Sequence, residues 1–163
     1  MERATDRAVD PSERLQHALD IAYRFLGLRD RTVAEVRRRL EREAVEAQTA
    51  DDVIAELERQ GYLDDARLAR RFTQDRRTLD AWGTDRIDRK LTELGVAPEL
   101  REAALAARDG ESELEAAVAL LRRRWPAPPQ TPRDREKALG LLVRKGYELE
   151  LAYDAIRSLE RAA

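Results

Sequence analysis

Two adjacent carboxylate pairs, one histidine and two tryptophans are the residues of this 163-residue chain whose types invite a chemical reading. Asp51-Asp52 and Asp64-Asp65 have the make-up of a small acidic cation site. Each is expected at a helix start, where carboxylates accept the unpaired N–H groups of the first turn and favour the helix dipole. Capping is therefore the reading carried forward, with a magnesium site as the alternative. His17 stands between Gln16 and Ala18 on the first helix and reads as a surface or half-buried side chain rather than a catalytic base. One His and no Cys exclude a multi-His metal centre, a Cys-ligated zinc, a thiol nucleophile and a disulfide framework. The chain holds neither Gly-x-x-x-x-Gly-Lys-Ser/Thr nor Gly-x-Gly-x-x-Gly, so it is not expected to hydrolyse ATP itself. The expectation is a protein that is not an enzyme and takes no cofactor or metal.

What remains is the chemistry of charge. Thirty-one basic and 33 acidic residues nearly cancel to −2, yet 39% of the chain is charged, against about 25% in an ordinary domain. The basic residues are 28 Arg and 3 Lys. That bias fits either GC-rich codon usage or recognition of phosphate and carboxylate by planar guanidinium groups. Charge is segregated: residues 66–92 and 117–147 carry net +4 and +6, whereas 46–65 and 93–116 carry −6 and −5. A basic stripe on a near-neutral protein suits nucleic-acid phosphate or an acidic protein groove; a solvated surface of paired charges is the alternative. Trp82, before Gly83, reads as a hydrophobic staple against Ile87, with base stacking as the alternative. Trp125 follows Arg122-Arg123-Arg124 and reads as core packing, with a single-strand contact as the alternative.

The elements that must position these residues are helices. Leu (22) and Ala (26) dominate, while Val and Ile together number 12, a balance that favours helix over strand. Leu40, Leu91 and Leu142 are 51 residues apart, as are Val36, Ile87 and Ala138, and Ile54, Leu105 and Ile156. Three coincident series mark a repeat of about 50 residues. Leu91 with Gly95-Val96, Leu142 with Gly146-Tyr147 and Leu57 with Gly61-Tyr62 each have the spacing of a left-handed helix ending. Tyr62 and Tyr147 are then plugs over the helix end, and Ala44, in the glycine position of the first repeat, predicts a weak or irregular ending.

Start signals give three helices per repeat: Asp10-Pro11-Ser12-Glu13, the box Thr32-Val33-Ala34-Glu35 and Thr49-Ala50-Asp51-Asp52 in the first. The second has helices over about 65–77, 84–94 and 98–107. The third has them over 112–124, 132–145 and 148–161. The expected fold is all-α: a disordered tail over 1–9, then three-helix repeats over 10–63, 64–109 and 110–163, stacked into an elongated, curved rod of nine helices. No apolar run approaches the ~20 residues of a membrane span, and Met1–Asp6 lacks a signal core. A cytoplasmic protein is expected.

Several spaced positions carry a family likeness. They are Gly61-Tyr62-Leu63-Asp64-Asp65, Leu68-Ala69 with Phe72 and Arg76, and Gly83, Ile87, Leu91 and Gly95-Val96. Upstream stand Ala18-Leu19, Leu26, Arg29, Thr32, Glu35-Val36 and Leu40. Over about residues 15–160 the chain resembles the bacterial regulatory protein RecX family; the Pro-rich 125–131 segment and Ala44 depart from its pattern. The resemblance implies tandem three-helix repeats. It also implies a monomeric regulator that binds the RecA recombinase in its filament on single-stranded DNA, in the filament's deep groove. Such proteins typically inhibit ATP hydrolysis, strand exchange and co-protease action. Direct contact with the DNA strand is expected to be weak or indirect. The candidate contact residues are Arg38, Arg39, Arg70, Arg71, Arg76, Arg77, Arg89 and Lys90. Arg29 and Arg76 match arginines of the family pattern and have a structural reading as well, fixing helix ends. An independent helical nucleic-acid-binding protein and a protein-only scaffold are the alternative functions.

Overall fold

Helix starts and stops account for the architecture. The computed structural model describes residues 10–162; the tail expected over 1–9 lies outside them. Nine helices and no strand occupy the described residues: α1 (Pro11–Leu26), α2 (Val33–Arg42), α3 (Ala47–Arg59), α4 (Asp65–Asp80), α5 (Thr84–Glu93), α6 (Pro98–Ala106), α7 (Glu113–Arg124), α8 (Pro132–Lys145) and α9 (Leu149–Arg161). Side-chain caps fix several starts. Thr32 and Glu35 form a complete capping box on α2, and Ser112 and Glu115 repeat it on α7. Asp10 caps α1 and Thr131 caps α8, each followed by Pro at the first helical position.

Four helices end alike. The N–H groups of Val45, Tyr62, Val96 and Tyr147 donate to the carbonyls of Leu40, Leu57, Leu91 and Leu142 at 2.9–3.0 Å. The residue before each donor is left-handed, with φ of 57° at Ala44, 80° at Gly61 and Gly95, and 95° at Gly146. The irregular ending expected at Ala44 therefore does not occur; the backbone keeps the motif and Ala44 bears the strain. The plug expected at Tyr62 does not form either. Tyr62 is 58% exposed and meets Tyr23 edge-on at 5.6 Å, while Leu63 turns inward in its place. Tyr147 is buried as expected.

One start is also corrected. α3 begins at Ala47 behind Glu46, not at Thr49. The α2 ending runs straight into Glu46 in extended backbone, so Asp51-Asp52 falls in the second turn. Asp51 instead pairs with Arg37 at 2.6 Å, and Asp52 accepts from Gln48. Asp64 does cap as expected, accepting from the Arg67 N–H at 2.9 Å.

The phased leucines Leu40, Leu91 and Leu142 are all fully buried, as are Val36, Ile87 and Ala138. In the third series Ile54 and Ile156 are buried, but Leu105 is only half-buried and Ala104 takes the inward position on the short α6. The chain forms two compact units, one ending at Leu68 and one beginning at Ala69. The first packs α1, α2 and α3 around Val36, Leu40, Val53, Ile54 and Leu57. The second contains a core of α7, α8 and α9 around Leu121, Leu142, Tyr147, Ile156 and Leu159. Within that unit the α4–α5 turn is docked on the α8–α9 turn through backbone. Gly83 N–H donates to Lys145 O at 2.8 Å and Asp85 N–H to Gly146 O at 3.0 Å. Tyr147 Oη and Lys145 Nζ close on the carbonyls of Ala81 and Asp80. A Cβ on Gly83 would stand 2.4 Å from Gly146 O, which explains why this position carries no side chain.

Candidate basic surfaces

On α2, Val36 and Leu40 face the core and leave the intervening arginines outward. Arg38 is exposed and reaches back only to Ala34 O at 3.4 Å. Arg39 is half-buried: it pairs with Glu43 at 2.9 Å and its guanidinium lies 5.7 Å from the Phe25 ring centre. Arg29 and Arg31 converge on Glu35, at 2.5 and 3.8 Å. Burial pushes the Glu35 carboxyl up, but the Arg29 bond, the Thr32 N–H and both guanidinium charges outweigh it and hold it below its ordinary value. Arg29 therefore braces the start of α2, a structural role.

α4 carries four of the candidates on more than one face. Arg70 and Arg77, two turns apart, line one cleft among α4, α6 and α7; Arg71 is exposed and lies outside it. Arg77 is fixed from within the fold. Its Nη1 and Nη2 donate to Ala107 O and Leu105 O, both at 2.7 Å, closing the end of α6. Burial, followed by the neighbouring Arg108 charge, lowers its pKa. Arg76 pairs with Asp80 and lies over the Phe72 and Trp82 rings. Both side chains are half-buried and engaged.

On α5, Ile87 and Leu91 point inward, and Arg89 and Lys90 are exposed. Lys90 pairs with Glu93 at 3.2 Å. Among the described residues, Arg38, Arg70 and Arg89 thus present exposed guanidinium groups with no carboxylate within ion-pair distance. Trp82 is half-buried, edge-on to Phe72 at 6.2 Å, with the Arg86 guanidinium 4.1 Å from its ring centre. Gly83 is the N-cap of α5, as the staple reading requires. Trp125 packs on the core of α7, α8 and α9, the packing role expected. His17 is exposed.

Two carboxylates cap a helix other than their own, which the sequence reading did not foresee. Asp65, the first residue of α4, accepts the Val33 N–H of α2 at 3.0 Å. Glu113, the first residue of α7, accepts from Thr84 N–H and Oγ1 of α5 at 2.7 and 2.9 Å. Val33 and Thr84 are each the first residue of their helix and keep the 51-residue spacing. The opening carboxylate of one repeat thus caps the middle helix of the repeat before it. The spacing of donor to acceptor differs between the pairs, so only the phase of Val33 and Thr84 offered a signal.

Comparison with known proteins gives this arrangement a lineage. Three family models match in order: the first three-helix domain of RecX over 18–57, the second over 64–105 and the third over 111–156. Regulatory protein RecX of Deinococcus radiodurans is 33% identical over 147 residues, covering 90% of this chain and 70% of that protein. The RecX of Trichlorobacter lovleyi is 36% identical over 135 residues, covering 80% and 87%. The crystal structure of RecX from Lactobacillus salivarius superposes with a TM-score of 0.78 at 20% identity, over 91% of this chain and 98% of that one, and so shares the fold. With three tandem three-helix domains matched in order and relatives named as regulators, the chain belongs to the RecX family of regulatory proteins.

Proposed function

We propose that this protein binds the RecA filament on single-stranded DNA and inhibits its ATP hydrolysis, strand exchange and co-protease action, without catalysis of its own and as a cytoplasmic monomer. The observation that supports the reading most is the equivalence of Arg38 and Arg89. Each is exposed on the second helix of its repeat, at the 51-residue phase. Neither is held by a carboxylate among the described residues. Exposed guanidinium groups in phase, with no carboxylate beside them, are available to a partner's acidic groups or to phosphate. Contact that spans neighbouring protomers would restrict the small rotations that nucleotide turnover requires. The three-repeat division at 10–63, 64–109 and 110–163 belongs to the same proposal: each repeat contributes its own second helix.

The deciding experiment is a pull-down with RecA, with single-stranded DNA and with both. Much tighter retention by RecA-coated DNA than by either component supports the reading. Submicromolar, salt-insensitive binding to naked DNA would instead establish an independent nucleic-acid-binding protein, and retention by RecA alone a protein scaffold.

A further inference from the structure

The cleft among α4, α6 and α7 has the features of a ligand site, and it is separate from Arg38 and Arg89. Its volume is about 430 Å³, within the size range of small-molecule pockets. The walls divide by chemistry. Ala81, Ala104, Ala107, Ala116 and Ala119 supply methyl surface, and the Trp82 and Tyr147 rings border it. Arg70, Arg77, Arg108 and Arg123 line the rest, against only Asp109 and Glu111.

Three donors there are unspent. Arg70 and Arg123 are exposed and make no hydrogen bond or ion pair among the described residues. Thr73 is 1% exposed, and its Oγ1 has no hydrogen-bond partner. A buried hydroxyl left unpaired has lost its hydration with nothing in return, so an acceptor inside the cleft would recover what folding forfeits. Arg77 is bonded to two carbonyls and Arg108 lies 3.7 Å from Glu113, so the positive charge left for a ligand is that of Arg70 and Arg123.

The donor set discriminates between anions. A carboxylate offers two oxygens, whereas a phosphate offers three or more to guanidinium and hydroxyl donors. The space exceeds a bare phosphate, and the alanine wall can hold a flat, weakly polar body. We infer that this cleft binds a nucleoside phosphate, with the phosphate held by Arg70, Arg123 and the Thr73 hydroxyl and the base against the alanine wall. The nucleotide comes either free from solution or as one unit of a single strand, and the test separates the two.

The probes are dTMP, a short oligothymidylate and inorganic phosphate, titrated into the full chain with Trp125→Phe so that Trp82 reports alone. Saturable quenching by dTMP or the oligomer, with phosphate competing, is the expected result. Tighter binding of dTMP assigns the site to free nucleotide; tighter binding of the oligomer, per nucleotide, assigns it to a strand. Arg70→Ala with Arg123→Ala should weaken binding tenfold or more. Thr73→Val keeps the shape and removes the hydroxyl. It should weaken binding several-fold while leaving thermal stability equal or higher, a combination that a purely structural threonine would not give. No binding at millimolar dTMP or oligomer, or binding unchanged in both variants, overturns the proposal. Because Arg38 and Arg89 do not line the cleft, filament inhibition lost in their variants but retained in Thr73→Val would separate this site from the proposed RecA contact.

Discussion

At the scale of single residues, the arginines divide by what they already hold. Arg29, Arg76 and Arg77 are committed to a carboxylate, to rings or to helix-end carbonyls; Arg38 and Arg89 are not. Reversing the latter pair, Arg38→Glu with Arg89→Glu, should leave the thermal midpoint near that of the parent, since Glu and Arg differ little in helix propensity. Inhibition of RecA ATP hydrolysis should fall, most at low salt where screening is weakest. Full inhibition by the double variant would make these two arginines plain solvated surface. Glu35 makes a second prediction. Its pKa is depressed in the fold, so its contribution is present above the ordinary carboxylate pKa and is lost as pH falls through the lower, folded value. Glu35→Gln should therefore lower stability at neutral pH and flatten the loss below about pH 4, read as urea midpoints across pH. Equal slopes for variant and parent would remove Glu35 from the acid response. The nearby Asp65 is shifted the other way, chiefly by burial, and its contribution to the pH dependence has the opposite sign.

At the scale of elements, most of the fold was legible because helix boundaries are written in local chemistry. Thr32 with Glu35 and Ser112 with Glu115 announce starts, and Leu91 with Gly95-Val96 announces a stop, all within a short stretch of chain. Legibility failed where the answer depended on a neighbour. Thr49 looks like a start only if the chain before it is loop, and the α2 ending leaves no room for one. Tyr62 and Leu63 compete for one inward position, and spacing alone does not rank them. Asp65 reads as a cap of its own helix and Glu113 carries no local signal, because their partners stand about 30 residues upstream. The left-handed Ala44 provides a direct test. An L-residue there costs about 1–2 kcal/mol, partly offset by glycine's greater chain entropy, so Ala44→Gly should stabilise the first unit by about 1 kcal/mol in urea unfolding. A loss of stability would mean that the Ala44 backbone is unstrained. Gly83→Ala should do the opposite. Its Cβ meets the Gly146 carbonyl, and forced separation of the two turns should cost about 3 kcal/mol or more; a neutral result would show that the turns part freely.

At the scale of the whole molecule, α5 shows that a repeat is not a self-sufficient domain. Its opening amides are satisfied from elsewhere: Gly83 by Lys145 O, Thr84 by Glu113 and Asp85 by Gly146 O. Gly83 itself supplies no side-chain cap. Removing residues 110–163 strands those donors and strips the second repeat of its backing. A chain ending at Asp109 should keep slow amide exchange in α1–α3 and lose it in α5; retained protection in α5 would show that the second repeat stands alone. The proposed contact residues were less legible than the helices for a related reason. Periodicity says which side chains leave the core, but only packing says which of those are then spent on carbonyls, rings or carboxylates.

The caps lent by Asp65 and Glu113 give the repeats a grammar with a direction. Each sentence is finished by the first word of the next, so the order of repeats cannot be reversed or shuffled without leaving an amide unanswered. In the third repeat the middle helix closes itself, as α2 also does through Thr32: Thr131 accepts the Asp134 N–H, with Pro132 omitting a donor at the first helical position. A lengthened array would therefore require an acidic residue opening each added repeat, placed to reach the first amide of the middle helix before it.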